Sequence, residues 1–205
     1  MKTLFALAVL AIVVVCGAEK SYAGPVVFVA SLSGAAESPP NASPGTGNAT
    51  VTFDSTAHTL RVQVTFSGLT AGDTAAHIHC CTVAPGTGTA GVATQVPTFT
   101  GFPSGVTSGT YDQTFDLSLA VSWNPAFITA NGGTPASAEA AFGNGLFNGT
   151  AYFNIHTSNL PGGEIRGFLV QAVPEPATML LLGSGLAGVA VKVRRRRKAI
   201  TGEEG

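Results

Sequence analysis

Residues 60–66 read LRVQVTF, and this stretch decides the fold class. Every second side chain is apolar and those between them are polar, which is the period of a strand with one buried face. A second alternating stretch, VTF, lies just before it across a short polar loop. Pairing Phe53 with Leu60 and Val51 with Val62 would place all four apolar side chains on one face. The sequence therefore predicts an antiparallel pair of strands that covers a core.

Further along the chain, strand signals alternate with two short helix signals. Residues 111–119 read YDQTFDLSL, and the alternation predicts inward-facing side chains at Phe115, Leu117 and Leu119. Asn124-Pro125 and Thr134-Pro135 each supply a capping residue followed by proline at the first helical position. Strands separated by turn residues, with only these helices, indicate an all-β domain.

The last hairpin spans residues 151–170, AYFNIHTSNLPGGEIRGFLV. Its Leu-Pro-Gly-Gly segment supplies the turn. The expected register gives three cross-strand pairs: His156 with Glu164, Ile155 with Ile165, and Phe153 with Gly167. It also groups polar side chains on the other face, namely Asn154, His156, Glu164 and Arg166.

The first 23 residues have the order of a secretory signal peptide. Lys2 precedes an apolar run at residues 4–15, and small residues follow at positions 21–23. We expect a signal helix here and cleavage after Ala23. Residues 24–172 would then form one exported domain, long enough to bury a core.

A second apolar segment lies at about residues 177–193, directly before the basic run from Arg194 to Lys198. Its length is close to that of a membrane span. The basic run would hold this end in the cytoplasm, so a C-terminal transmembrane helix would anchor the chain to the inner membrane. The exported domain faces the periplasm in this arrangement. Because it carries few basic residues, no nucleic-acid partner is expected.

This C-terminal region, residues 173–205, resembles the PEP-CTERM sorting signal of Gram-negative bacteria. The resemblance lies in Val173 and the motif Pro174-Glu175-Pro176, followed by the apolar segment and the arginines. It implies an exosortase-type processing enzyme that cuts near the motif, and a final location at the cell surface or matrix. It also implies an envelope rich in exopolysaccharide, so polysaccharide or envelope components are the expected partners.

The exported domain resembles the CHRD domain, found in chordin and in many bacterial exported proteins. The matching segments are residues 32–37, 47–53, 60–69, 76–79, 154–157 and 161–167. The resemblance implies a β-sandwich, either Greek-key and immunoglobulin-like or similar to copper/zinc superoxide dismutase, with one or two short helices. It brings no catalytic residues with it, and likeness of fold alone does not establish activity. We therefore expect a non-enzymatic structural or binding role.

The stretch AAHIHCCT, residues 75–82, predicts a metal site. His77 and His79 are two apart on a strand, so both rings lie on one face. His156 would complete three nitrogen ligands if its strand lies nearby, and the set would suit zinc or copper. Glu164 could accept the free ring N–H of His156. In the alternative, the three histidines only close one end of the domain by hydrogen bonding.

Two further hypotheses concern redox chemistry. By analogy, a dismutase with a copper/zinc pair would use about six histidines and an aspartate. The chain has four histidines, and one of them, His58, lies in a predicted turn. Three candidate ligands are too few for such a pair, so a dismutase-like redox enzyme is the less favoured alternative. Cys80 and Cys81 are adjacent, and an exported domain permits a vicinal disulfide between them. Thiolate ligation of a metal is the alternative for these cysteines, though adjacent strand side chains point to opposite faces.

Overall fold

The computed structural model describes residues 24–172. The predicted signal helix and the predicted transmembrane helix lie outside the described residues. Within the described part, no helix has the length and apolar character needed to cross a membrane.

Among residues 24–172, eight strands form one curled antiparallel sheet. They are β1 (Val26–Ser33), β2 (Thr46–Asp54), β3 (Thr59–Ser67), β4 (Asp73–His79), β5 (Gly109–Asp116), β6 (Tyr152–Thr157), β7 (Ile165–Phe168) and β8 (Val170–Gln171). The order in the sheet is β4-β6-β7-β1-β2-β3-β5, and β8 pairs with β1. The helices are α1 (Pro125–Ala130) and α2 (Pro135–Phe147), with 3-10 turns at Gly34–Ala36 and Ala120–Ser122. The prediction of a mostly β fold with few short helices is confirmed, whereas the Greek-key, immunoglobulin-like or dismutase-like β-sandwich stays a prediction.

The register predicted for the first hairpin is confirmed. Val51 pairs with Val62 and Phe53 with Leu60, and all four side chains are buried. The inward faces of β1, β2 and β3 thus form one side of the core, as the alternating sequence requires.

Both helices begin where the capping residues indicated. The Asn124 side chain accepts a hydrogen bond from the Ala126 amide, and Thr134 forms a capping box with Ser137. α2 lays its aromatic side chains on the sheet, with the ring of Phe142 6.4 Å from that of Phe53. The helix therefore covers apolar surface that the curled sheet alone would leave in water.

One expectation in this region was wrong. Leu119 is 50% exposed, because β5 ends at Asp116 and the chain then enters a 3-10 turn. His58 lies in the predicted turn and is exposed, and its Nδ1 lies 2.8 Å from Oε2 of Glu139, a glutamate buried in α2.

β1 and β8 bring the two ends of the described chain together. Phe28 pairs with Gln171, and the amide of Ala172 donates to the carbonyl of Val27 at 2.8 Å. At its other end, β1 reaches β7, where Ser33 pairs with Arg166.

Candidate metal centre

Pairing of β4 with β6 brings the three predicted ligands together. His77 lies opposite Asn154, and His156 lies opposite Ala75, so His77, His79 and His156 share one face of the sheet. Their ring centroids are 5.2 to 5.8 Å apart. One nitrogen from each ring lies within 4.8 Å of the others.

Each of these rings uses one nitrogen to bind a main-chain carbonyl. The pairs are His77 Nε2 with Pro97 O at 2.5 Å, His79 Nδ1 with Ala90 O at 2.9 Å, and His156 Nδ1 with Pro161 O at 2.9 Å. A carbonyl can only accept, so these ring nitrogens carry the N–H. The remaining nitrogens, His77 Nδ1, His79 Nε2 and His156 Nε2, are buried without a partner. Each therefore presents a lone pair, which is the tautomer and orientation that metal-binding histidines adopt.

The surroundings keep these imidazoles neutral. Burial lowers the pKa of His77 and of His156, and it lowers that of His79 to about 4. Desolvation disfavours the charged imidazolium more than the carbonyl hydrogen bonds favour it. Since a metal binds only neutral imidazole, the three ligands need not lose protons near neutral pH.

The predicted role of Glu164 beside His156 is wrong. Its carboxylate accepts hydrogen bonds from Ser43 Oγ, Thr70 N and Thr157 Oγ1, each at 2.6 Å, while His156 donates to Pro161 O. β7 begins only at Ile165, and Gly163 has a φ of 131°. The strand alternation therefore does not extend to Glu164, which turns toward Thr157 on the other face.

Arg166 and Tyr152 lie next to the three histidines. Arg166, only 4% exposed, donates from Nε to Ala36 O at 2.5 Å and from Nη1 to Gly88 O at 3.0 Å. Its guanidinium lies 4.8 Å from the ring centroid of Tyr152. That ring stacks on His79, also at 4.8 Å. Arg166 is thus separated from a candidate ligand by one aromatic ring.

Buried polar atoms without partners concentrate here. Seven such side-chain atoms occur among residues 24–172, and five belong to this end of the sheet: Glu37 Oε1, Asn154 Oδ1 and the three imidazole nitrogens. Unpaired buried groups are costly and therefore need an explanation such as an ion or water. The sequence did not single out Glu37 or Tyr152, because only the fold brings them to the histidines.

The cysteines form a separate feature. Their Sγ atoms are bonded as a vicinal disulfide, with Cys80 buried and Cys81 exposed. Both sulfurs face α2 at Gly145, where an added Cβ would overlap them. Neither cysteine belongs to the cluster of His77, His79 and His156, so the described structure does not favour thiolate ligation.

This contact predicts the effect of Gly145→Ala. In an exposed helix the change would stabilise by about 1 kcal/mol, through propensity. Here we expect destabilisation by about 1–3 kcal/mol, because the new Cβ enters space held by the disulfide. Urea unfolding followed by the fluorescence of Trp123, the one tryptophan of the chain, would measure it. Asn144→Ala, at an exposed position of α2, is the control, and stabilisation by both changes would contradict the packing argument.

Comparisons with known proteins agree with the two resemblances. The family model described as CHRD domain matches residues 28–169, and that of the PEP-CTERM protein-sorting motif matches residues 172–197. None of the curated proteins and none of the solved structures compared with the chain matches it. The sorting motif implies export, membrane-anchored sorting and processing by an exosortase. Since the first match spans most of the chain, the protein belongs to the CHRD domain family.

Proposed function

We propose that the exported domain is a metal-binding module that holds one zinc or copper ion with His77, His79 and His156. The observation that carries the proposal is the set of three buried ring nitrogens, each without a partner while its sister nitrogen binds a carbonyl. If the histidines served only to close the domain by hydrogen bonding, each buried ring nitrogen should have a partner. Three neighbouring nitrogens without one are instead the arrangement expected of metal ligands.

The spacing of the rings fits this proposal after a small movement. Metal–nitrogen bonds of 2.0–2.1 Å in tetrahedral geometry imply nitrogens about 3.4 Å apart. The present separations between the candidate nitrogens reach 4.8 Å, so these nitrogens would have to approach one another by up to about 1.4 Å. Three protein ligands leave one position for water or another ligand. The cluster holds three histidines, whereas a copper/zinc pair like that of a dismutase would use about six histidines and an aspartate. The cluster therefore does not add support for a redox role of that kind.

The setting that we propose is the cell surface. After export the domain would face the periplasm, anchored at the inner membrane, until the exosortase-type enzyme releases it to the surface or matrix. The sorting motif supports this route. The role would be binding to exopolysaccharide or other envelope components rather than catalysis. A pull-down with purified matrix polysaccharide would test it, and no retention with or without zinc would contradict it.

The metal proposal is tested by the metal content of the protein purified from the periplasm without an affinity tag. We expect about one zinc or copper per chain in the wild type, as three-histidine sites hold a single ion. The variant His77→Ala/His79→Ala should lose it. His58→Ala is the matched control, because His58 binds Glu139 elsewhere in the domain, and it should keep the metal.

Stability gives a second measurement. An ion present at about 100 times its dissociation constant would stabilise the fold by about 2.7 kcal/mol. A chelator should therefore lower the unfolding midpoint of the wild type and of His58→Ala, but not that of the double variant. A wild type that is folded and stays free of metal after supplementation with zinc and copper would overturn the proposal.

A further inference from the structure

Glu37 is a buried carboxyl group whose position the metal site alone does not explain. It caps the 3-10 turn at Gly34–Ala36 and is 7% exposed. Its Oε2 lies 3.8 Å from Arg166 Nε, a distance at which the charges interact without a good hydrogen bond. Its Oε1 has no partner.

Asn154 makes the position of Glu37 more specific. Glu37 Oε1 and Asn154 Oδ1 each lie 2.8 Å from the point that a Cβ of Gly163 would occupy. Both oxygens are buried acceptors without a donor. Asn154 Nδ2 lies 2.6 Å from the same point, yet Glu37 Oε1 has no hydrogen-bond partner. An ionised Glu37 would therefore be a buried carboxylate whose Oε1 lacks a donor, whereas a protonated Glu37 could donate its O–H to an acceptor such as Asn154 Oδ1.

The local charges depend on whether a metal is bound. Without one, three neutral imidazoles lie beside the fixed positive charge of Arg166, which contacts the Tyr152 ring that stacks on His79. A divalent ion would add two positive charges in the same buried region. Asn154 of β6 pairs with His77 of β4 and with Arg166 of β7. Asn154 therefore lies between Glu37 and a candidate ligand.

We propose that Glu37 is the charge-compensating group of the metal site: when a divalent ion binds the three histidines, Glu37 ionises and releases its proton to solvent. This inference rests on the proposed metal-binding function. The ion gains a nearby negative charge, and the carboxylate gains a second cation beside Arg166. Glu37 is a positioning residue for charge and not a ligand.

The groups around Glu37 agree with this assignment. Burial raises its pKa to about 7, although Arg166 and the Ser38 amide oppose the rise. Arg166 on β7 is the charged group that faces it, and Asn154 on β6 is the polar one. The nearby carboxylate of Glu164 is directed to Ser43, Thr70 and Thr157.

The test is zinc titration calorimetry of the full chain in detergent, repeated in buffers with different ionisation enthalpies, which counts released protons. At about pH 6, the wild type should release about one proton more per zinc than Glu37→Gln. At about pH 8.5 this difference should vanish, because Glu37 is then already ionised. The variant should bind zinc about tenfold more weakly at that pH, since it lacks the negative charge.

Glu139→Gln is the matched control, because Glu139 is the other buried glutamate with an unpaired oxygen among residues 24–172 and it contacts His58 instead. It should release the same number of protons as the wild type. Zinc binding to Glu37→Gln with an unchanged proton count at about pH 6 would overturn the inference while the metal site stands. Absence of zinc binding in the wild type would overturn both.

A second measurement uses the wild type alone, so its result does not depend on whether Glu37→Gln folds. Infrared difference spectra of the wild type at about pH 6 should show loss of the carbonyl band of a protonated carboxyl group when zinc is added. An unchanged band with zinc bound would also contradict ionisation of Glu37.

Discussion

Arg166→Met is expected to lower the free energy of unfolding by about 3–5 kcal/mol at about pH 8. The side chain is buried beside Glu37 and donates to the carbonyls of Ala36 and Gly88. Methionine fills similar volume but leaves an ionised Glu37 without its counter-charge and two carbonyls without their donor. Urea unfolding followed by Trp123 fluorescence would measure the loss.

The loss should be smaller at acid pH. The pKa of Glu37 is raised from its ordinary 4.5 to about 7 in the folded protein. The stabilisation of the folded state that follows from this raised pKa is complete below pH 4.5 and is lost as the pH rises through 7. Removing Arg166 removes a cation that lowers this pKa, and the penalty of an ionised Glu37 grows. At about pH 5 Glu37 is protonated, so only the lost hydrogen bonds and packing remain.

Arg61→Met is the control for this prediction. Arg61 forms a bidentate pair with Asp112 on the exposed face of the sheet, and exposed pairs contribute little. We expect almost no change in stability from this variant at either pH. Similar small losses in the free energy of unfolding for both variants would contradict the prediction, because buried Arg166 would then contribute no more than exposed Arg61.

The second large effect is expected from Gly167→Ala, at about 3 kcal/mol or more. A Cβ at this position would overlap the main-chain oxygen of Ser31 and would lie 3.2 Å from the Cβ of Ala30. Because the obstacle is the backbone of β1, no side-chain rotation can relieve the contact. β7 would have to move away from β1, which would disturb Arg166 next to it.

Gly162→Ala serves as the control in the same hairpin, since a Cβ there would meet nothing within 4 Å. Its unfolding midpoint should remain close to that of the wild type. Equal destabilisation by the two changes would indicate a general need for glycine in the hairpin rather than the close approach of β7 to β1.

The sequence predicted well those features that depend on alternation and on adjacent strands. The pairs Val51–Val62 and Ile155–Ile165 are confirmed, because a shift by one residue would expose the apolar face of a strand. The same logic placed His77 and His79 on one face. Their meeting with His156 follows from the pairing of β4 with β6, which the sequence offered only as a condition.

Other features depend on contacts between distant segments. Arg166 and Glu37 are separated by well over a hundred residues, and no local pattern joins them. Glu164 follows Gly163, whose positive φ ends the alternation, so a register argument continued one residue too far. The carbonyls of Pro97 and Ala90, which fix the histidine tautomers, belong to an irregular loop that periodicity does not describe.

The course of β1 also determines how far the site lies from the start of the sorting segment. The first residues of this strand adjoin Ala172, from which the sorting segment continues. The last residue, Ser33, adjoins Arg166. From Val26 to Ser33, β1 advances by seven residues at about 3.3 Å each, a length of about 23 Å. The length of β1 therefore separates the end of the domain where the sorting segment begins from the end that carries Arg166 and the histidines.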